Sequence, residues 1–151
     1  MNKLGIYVDN IEFSQLFLTL NYEAERVKDK LNITVFFNNH GKMIDSAQYN
    51  VMPASNMWKT NMPVIATDDM SAKFLLATHT IKKKYFYIWS LDWLMKKARK
   101  VEDNLALYCN NKLELLVRDE DMYKLVSSVW KKPTGILDDF NSEQLCEIAA
   151  R

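Results

Sequence analysis

The sequence predicts an α/β fold with a doubly wound, mostly parallel sheet and helices on both faces. Short, continuously apolar runs alternate with longer segments whose apolar residues recur every three or four positions. The runs lack polar alternation, as expected of strands covered on both faces. The densest run, KKYFYIWSLDWL from Lys83 to Leu94, has five aromatic residues among its twelve. We expect it to form a buried strand that delivers a polar turn to the sheet edge.

The first unit of the chain has the pattern of a strand, a helix and a second strand. Lys3 to Val8 forms a short β-branched and aromatic run, and Asp9-Asn10 are suited to cap the following helix. From Phe13 to Leu31 the apolar positions follow the spacing of one helical face. Ile33 to Phe37 is again continuously apolar. This order favours a parallel pair of strands with a right-handed crossover.

The middle of the chain contains a weakly patterned stretch and then another strand and helix. Residues 42–61 are expected to form a loop with one short strand or helical turn. Pro63 to Thr67 has the buried-strand pattern, and Asp68-Asp69 can cap the helix that follows and favour its positive end. After the aromatic strand, residues 91–101 predict a short helix with cations toward its carboxyl end.

The last third of the chain continues the alternation. Leu105 to Tyr108 and Leu113 to Val117 are short apolar runs, and either could be the next strand or the two could form a hairpin. Residues 119–130 predict a helix, Thr134 to Leu137 a last short strand, and Ser142 to Ala149 a closing helix. The side chains expected to face inward from the helix at 119–130 are Met122, Leu125, Val126 and Val129.

Composition favours one compact domain over residues 1–151. The chain is 48% hydrophobic and contains only three Gly and three Pro, so no linker is expected. A net charge of +1 gives no overall attraction to a polyanion. Cys109 and Cys146 form no CxxC motif and are expected to be reduced and packed in the core. No apolar segment approaches the roughly 20 residues of a bilayer span, so we expect a cytoplasmic protein with no membrane partner.

Ligands of open parallel sheets bind outside the carboxyl ends of the strands, which selects the candidate site residues. For each of them, a helix cap or a solvated turn is the more common role of that residue type. The candidate ligand-binding residues are Asp9, Asn10, Asn38, His40, Asp68, Asp69, Ser90, Asp92, Arg118 and Glu120.

The sequence contains no complete catalytic constellation. No glycine-rich phosphate loop and no GxSxG elbow occur, and His40 and His79 lack partners at metal-ligand spacing. No cofactor and no zinc site are therefore expected. Asp68 and Asp69 could hold Mg²⁺ with a phosphate substrate, although consecutive residues leaving a strand usually point in different directions, so capping is favoured. Lysine clusters at 82–84, 96–100 and 131–132 could contact a phosphate backbone, although solvated helix and strand ends are the commoner explanation.

Three segments resemble the amino-terminal half of a GT-B glycosyltransferase. They are PVIATDDMSAKFLLAT, KKKYFYIWSLDWL, and the stretch from Leu113 to Leu145, where Asp119-Glu120 and residues 138–141 occupy the polar turns. The combination is similar to small glycosyltransferase-like proteins of large tailed phages. The resemblance implies a Rossmann-like half that forms one wall of a cleft. This chain departs from the family in its glycine-free first turn, and it lacks an E-x7-E pair.

Three functional hypotheses follow from these observations. The first is a non-catalytic binding or interaction module, phage-encoded and located in the host cytoplasm, with a host or phage protein as its partner. The second is an active glycosyltransferase or nucleotide-sugar hydrolase that works as a homo-oligomer, because a lone half encloses a transition state poorly. Its site would be lined by Asp68, Asp69, Asp92 and Glu120. The third is a nucleic-acid-binding accessory protein that uses the lysine clusters and exposed Trp58 or Trp130.

Overall fold

The computed structural model describes residues 1–11, 14–39, 48–91 and 101–151, which form an α/β architecture around one sheet. The seven strands found in these residues are all parallel, in the order β3-β2-β1-β4-β5-β6-β7. The strands are β1 (Asn2–Asn10), β2 (Leu31–Asn39), β3 (Asn50–Pro53), β4 (Val64–Ala66), β5 (Lys84–Ile88), β6 (Glu114–Val117) and β7 (Gly135–Ile136). The helices are α1 (Gln15–Val27), α2 (Asp69–Ala77), α3 (Val101–Tyr108), α4 (Glu120–Val129) and α5 (Ser142–Ala150), with 3-10 segments at Ala54–Lys59 and Asp138–Phe140. The predicted fold class is confirmed.

Strand β1 is the centre of the fold and defines where a ligand site should lie. It pairs along its length with β2, from Asn2 opposite Leu31 to Asn10 opposite Asn39. On its other side it pairs with β4. The chain therefore first builds outward through β2 and β3, and then returns to the opposite side of β1 to add β4 to β7. The strand order reverses between β1 and β4, and the carboxyl ends of these two strands flank the crevice expected at such a point.

Helices cover both faces of the sheet, which explains the continuous apolar runs. On one face, α1 and α5 pack on side chains of β1 and β2 such as Ile6 and Val35. On the other face, α2, α3 and α4 contribute Leu75, Tyr108 and Val126 to a second core. Because alternate residues of each strand point to opposite faces, both sets of side chains must be apolar.

In the last third of the chain the structure selects one of the alternatives left open for the two short apolar runs, and it corrects the prediction for the buried face of the next helix. Residues 105–108 lie in helix α3, so only the run ending at Val117 forms a strand. The side chains of Leu125 and Val129 do not face inward, since they are 45% and 55% exposed. Helix α4 instead packs through Val126, which is buried, with Met122 and Trp130 partly buried beside it.

Other regions follow the predictions more closely. The weakly patterned stretch contains β3 and the 3-10 helix Ala54–Lys59 within its described part. The helix predicted at 91–101 falls mostly on residues 92–100, which lie outside the described residues. Both cysteines are free, but Cys109 is exposed and is not packed in the core. In the described residues, no helix combines the length and the apolar character needed to span a bilayer.

Candidate functional site

A crevice of about 310 Å³ lies at the predicted position, beyond the carboxyl ends of β1 and β4. The residues before and within the first turns of α1 and α2 form its two sides. Val8, Phe17 and Met70 provide apolar surface, and the carboxylates of Asp9 and Asp68 provide the charge. The crevice therefore combines an apolar lining with an acidic rim.

Asp68 caps helix α2, as the sequence predicts. Its Oδ1 accepts a hydrogen bond from the Ser71 backbone N–H at 2.8 Å. The Ser71 Oγ in turn accepts a bond from the Asp68 backbone N–H at 3.1 Å, which completes a capping box. This reciprocal arrangement satisfies two of the amide groups at the helix start. It also fixes the Asp68 side chain at the rim of the crevice.

Asp9 does not cap a helix, which corrects the prediction for the Asp9-Asn10 turn. The N-cap of α1 is Ser14, whose Oγ accepts from the Phe17 backbone N–H at 3.4 Å. Asp9 is the second-to-last residue of strand β1, and its Oδ1 accepts a hydrogen bond from Nδ2 of Asn38 in the neighbouring strand β2 at 2.9 Å. The Asn10 amide lies 3.5 Å from the other oxygen. The amide of Asn38 therefore orients a carboxylate that has no capping role.

The Asp68 carboxylate is tied to the end of β1 at the switch point, where Asp9 and Asp68 line the same crevice. The backbone N–H of Asp9 donates to Oδ2 of Asp68 at 3.2 Å, which ties the end of β1 to the start of α2. Among the described residues, no Lys or Arg forms an ion pair with either of these two side chains. Each carboxylate oxygen keeps a lone pair that its hydrogen bond does not use. Within the part of the chain that the structure describes, the rim therefore holds negative charge with no cationic side chain paired to it, and this charge could bind a cation.

The Tyr7 side chain is buried beneath this pair, on the same face of β1 as Asp9. Burial raises the pKa of Tyr7 to about 12, the nearby Asn38 side chain offsets part of the increase, and the charges of Asp9 and Asp68 add to it. No group in the described part of the chain forms a hydrogen bond of good geometry with the Tyr7 hydroxyl. A buried polar group of this kind is uncommon, and Tyr7 lies near the crevice without being among the residues that line it.

Arg118 belongs to a separate cluster, at the ends of β5, β6 and β7. Its Nε donates to Oδ1 of Asp139 at 2.6 Å and its Nη2 to Oδ2 at 3.3 Å. The hydrogen bond to Asp139 raises the pKa of Arg118. The guanidinium carbon lies 4.4 Å from the centre of the Trp89 ring. These contacts give Arg118 a structural role beside Asp139, whose backbone is left-handed with φ of 45°.

The other predicted site residues are distributed along the sheet edge. Asp69 is buried behind Asp68 and does not line the crevice. Ser90 is half-buried after β5, and Glu120 is exposed in the first turn of α4. His40 and Asp92 lie outside the described residues. Of the ten candidates, the crevice is therefore formed by Asp9, Asn10 and Asp68, with Asn38 supporting Asp9.

Sequence reasoning missed Ser14 and Thr67, two polar residues of the crevice, and Tyr7, which is buried near it. Ser14 and Thr67 line the crevice, and the Thr67 Oγ1 donates to the backbone carbonyl of Tyr7 at 3.1 Å. Ser14 had a signal, since a serine shortly before a helical apolar pattern is a common N-cap. Tyr7 lies inside a buried strand, and its position below the acidic pair follows only from the register of β1 with β2 and β4.

The donor set favours a hard cation. Mg²⁺ prefers oxygen ligands, keeps several waters, and is usually held by one or two carboxylates together with substrate phosphates. Asp9 and Asp68 could supply two such carboxylates. Within the residues that the structure describes, no group of three or more His, Cys, Asp or Glu side chains is placed to hold a metal. The site therefore suits a cation that a second ligand helps to hold, and it does not suit a closed structural metal centre.

Comparisons with known proteins do not identify a function for this site. No family model matches the chain, and no curated protein matches it significantly. The resemblance to half of a GT-B glycosyltransferase therefore stays a prediction.

Proposed function

We propose that this chain is a binding module whose switch-point crevice holds a divalent cation together with a phosphorylated ligand. The observation that carries the proposal is the position of Asp9. Its carboxylate caps no helix, accepts a hydrogen bond from Asn38, and has no ion-pair partner among the described residues. Asp9 also lines the same crevice as Asp68. The capping role that accounts for Asp68 does not account for Asp9.

The proposal keeps the hypothesis of a binding module and specifies the chemical class of its ligand. Two carboxylates with bound water leave coordination positions that phosphate oxygens can fill, as is usual for Mg²⁺. A nucleotide-sugar, which the glycosyltransferase resemblance implies, is one member of this ligand class. The crevice forms one open wall, so a transfer reaction on that ligand would need a partner protein or a second copy to exclude water.

Cation binding tests the proposal directly. We would titrate the protein with Mn²⁺ by calorimetry, with and without inorganic pyrophosphate. We expect binding in the presence of pyrophosphate, weakened about 10-fold or more by Asp9→Asn or Asp68→Asn, because even outer-shell partners typically contribute about 10- to 100-fold to metal affinity. Asparagine is as good an N-cap as aspartate, so Asp68→Asn removes the charge and keeps the helix cap.

Asp119→Asn is the matched control. Asp119 caps α4 through a 2.8 Å hydrogen bond from the Met122 backbone N–H, and it does not line the crevice. This variant should bind Mn²⁺ like the unmodified protein. If the unmodified protein binds no Mn²⁺, or if all three variants bind equally well, the crevice is not a cation site and the proposal is wrong.

A further inference from the structure

A second pocket lies at the opposite end of the sheet from the crevice. Its volume is about 450 Å³, within the roughly 300–1,000 Å³ of small-molecule sites. Lys3, Asn32 and Asn50, which line it, are each the first or second residue of β1, β2 or β3. Among the residues that the structure describes, the lining contains two lysines, five uncharged polar residues, three apolar residues and no acid. The pocket is therefore polar and positively charged.

The polar lining belongs to one face of the sheet. Asn32, Thr34 and Phe36 alternate along β2 and point to the same side, where Phe36 joins the core formed with α2, α3 and α4. Lys3 lies opposite Asn32 in β1, and Asn50 lies opposite Thr34 in β3. Where helices cover both faces of a parallel sheet, its strands carry apolar side chains on both. The amino end of this face carries polar side chains instead, which suit a polar ligand.

Thr34 supplies a buried hydroxyl to the pocket. The residue lies within the buried part of β2, is 5% exposed, and lines the pocket. Its hydroxyl forms no hydrogen bond with any residue that the structure describes. Buried polar side chains are usually hydrogen-bonded, so this hydroxyl is available to a molecule in the pocket.

Neighbouring polar groups in the lining are already oriented. Nδ2 of Asn50 donates to Oδ1 of Asn32 at 2.8 Å, a bond that does not use the N–H groups of Asn32 or the side-chain carbonyl of Asn50. The Thr60 Oγ1 accepts from the Met62 backbone N–H at 3.3 Å and keeps its own proton to donate. The pocket therefore offers donors and acceptors together, as the hydroxyl groups of a ligand require.

Lys3 and Lys59 give the pocket its charge. Both residues are exposed, and neither forms an ion pair with a described residue. A phosphate monoester carries a charge of about −1.5 to −2 at pH 7 and has three strong acceptor oxygens. Two lysine ammonium groups therefore match the charge of one such group.

We propose that this pocket binds a small phosphate ester rich in hydroxyl groups, of which a sugar phosphate is the simplest form. The phosphate pairs with Lys3 and Lys59, and the hydroxyl groups bond to Thr34 and to the two asparagine amides. The apolar face of the sugar packs against Met52, which lines the pocket and is 39% exposed. This site shares no described residue with the crevice and needs no cation, so it does not depend on the proposed function.

Calorimetry with glucose 6-phosphate and ribose 5-phosphate tests the site. The titrations are made at low ionic strength, which preserves charge interactions, and in EDTA, which removes the cation that the crevice needs. We expect at least one of the two esters to bind more tightly than inorganic phosphate, which has no sugar hydroxyls, and than glucose, which has no charge. Lys3→Gln and Lys59→Gln should each weaken binding about 10-fold, the lower end of what a hydrogen bond to a charged group contributes.

Thr34→Val tests the buried hydroxyl with a side chain of nearly the same shape. It should weaken binding of the ester about 2- to 10-fold, the usual contribution of a neutral hydrogen bond. The Tm should stay the same or rise slightly, because no hydrogen bond within the described part of the protein is lost. Lys82→Gln is the matched control, since Lys82 is exposed and does not line the pocket. This variant should bind the ester like the unmodified protein.

The outcomes distinguish this inference from the proposed function. Binding of neither ester, or equally tight binding of inorganic phosphate, would overturn the inference. Unchanged affinity in both lysine variants, or in Thr34→Val, would also overturn it. Each of these results leaves the cation site intact, because that site is tested through Mn²⁺ and Asp9. Absence of Mn²⁺ binding with the ester still bound would remove the proposed function alone.

Discussion

Replacement of Gly5 by alanine tests how closely the sheet face beneath α2 is packed. Gly5 lies in the middle of β1, and its missing side chain leaves room for two neighbours. A Cβ at this position would lie 2.8 Å from Cγ2 of Val64 and 2.9 Å from Cε2 of Phe36. Both distances are shorter than van der Waals contact, so the two side chains or the strands must move.

The expected loss of stability follows from two opposing terms. Overpacking of a buried core typically costs about 1–3 kcal/mol. Alanine also restricts the unfolded chain, which returns about 0.4–1 kcal/mol where the backbone conformation is compatible, and the φ of Gly5 is not positive. The net loss should be about 1–2 kcal/mol. With an unfolding entropy of about 0.3 kcal/mol/K for a chain of this size, the Tm should fall by about 3–6 °C.

Thermal unfolding followed by circular dichroism measures this shift, and Gly135→Ala is the matched control. The nearest atom to a Cβ on Gly135 is Cδ2 of Leu116 at 3.9 Å, an ordinary contact, so this variant should keep the original Tm or raise it slightly. Combining Gly5→Ala with Val64→Ala removes one of the clashes, so the two changes should cost less together than the sum of their separate effects. If Gly5→Ala were as mild as the control, the packing argument would be refuted.

Two further predictions concern the carboxyl edge of the sheet. Arg118→Ala should lower the free energy of unfolding by roughly 1–2 kcal/mol, through loss of the Asp139 ion pair and the contact with Trp89, and should leave Mn²⁺ binding unchanged. A matching fall in Mn²⁺ affinity would instead place Arg118 in the site. The pKa of Tyr7 is raised from its ordinary 10 to about 12, so its contribution to stability is complete below pH 10 and is lost as the pH rises to about 12. In denaturant titrations, the free energy of unfolding should fall by about 2–3 kcal/mol across this pH range because of Tyr7. The fall should be smaller in Tyr7→Phe. An identical pH dependence in both proteins would contradict the raised pKa of Tyr7.

The fold class could be predicted because a strand that is buried on both faces of a sheet has a recognisable, continuously apolar sequence. The strands that carry the core, such as β2 and β5, read as continuous apolar runs, and the intervening helices show one apolar face. Helix caps were partly predictable because a capping residue directly precedes the apolar pattern of its helix. Asp68 and Asp119 each hold this position and each cap the helix that follows. These features depend on local sequence alone.

Features that depend on tertiary packing could not be read in this way. The run at 105–108 is too short for periodicity to separate strand from helix, and it is helical where Tyr108 packs on Phe86 and Trp130. Contact between Trp130 and Tyr108 also sets which face of α4 is buried, which leaves Leu125 exposed. Glu23 reads as a solvated helix position but is buried, because it accepts a hydrogen bond from the Ser142 backbone N–H of α5 at 2.9 Å.

The acidic rim of the crevice also depends on tertiary packing. Residue type alone therefore could not distinguish an aspartate that caps a helix from one that is free to bind a ligand. Asp9 and Asp68 both follow a strand and precede a helix, so local reasoning gives them one role. Their roles diverge because Ser14 supplies the cap of α1 and the register of β1 with β2 brings Asn38 against Asp9. Asp9 and Asp68 both line the crevice and have no cationic partner among the described residues, so a cation bound there would be attracted by both carboxylates. If such a cation binds, Mn²⁺ should raise the Tm of the unmodified protein and have a smaller effect on Asp9→Asn.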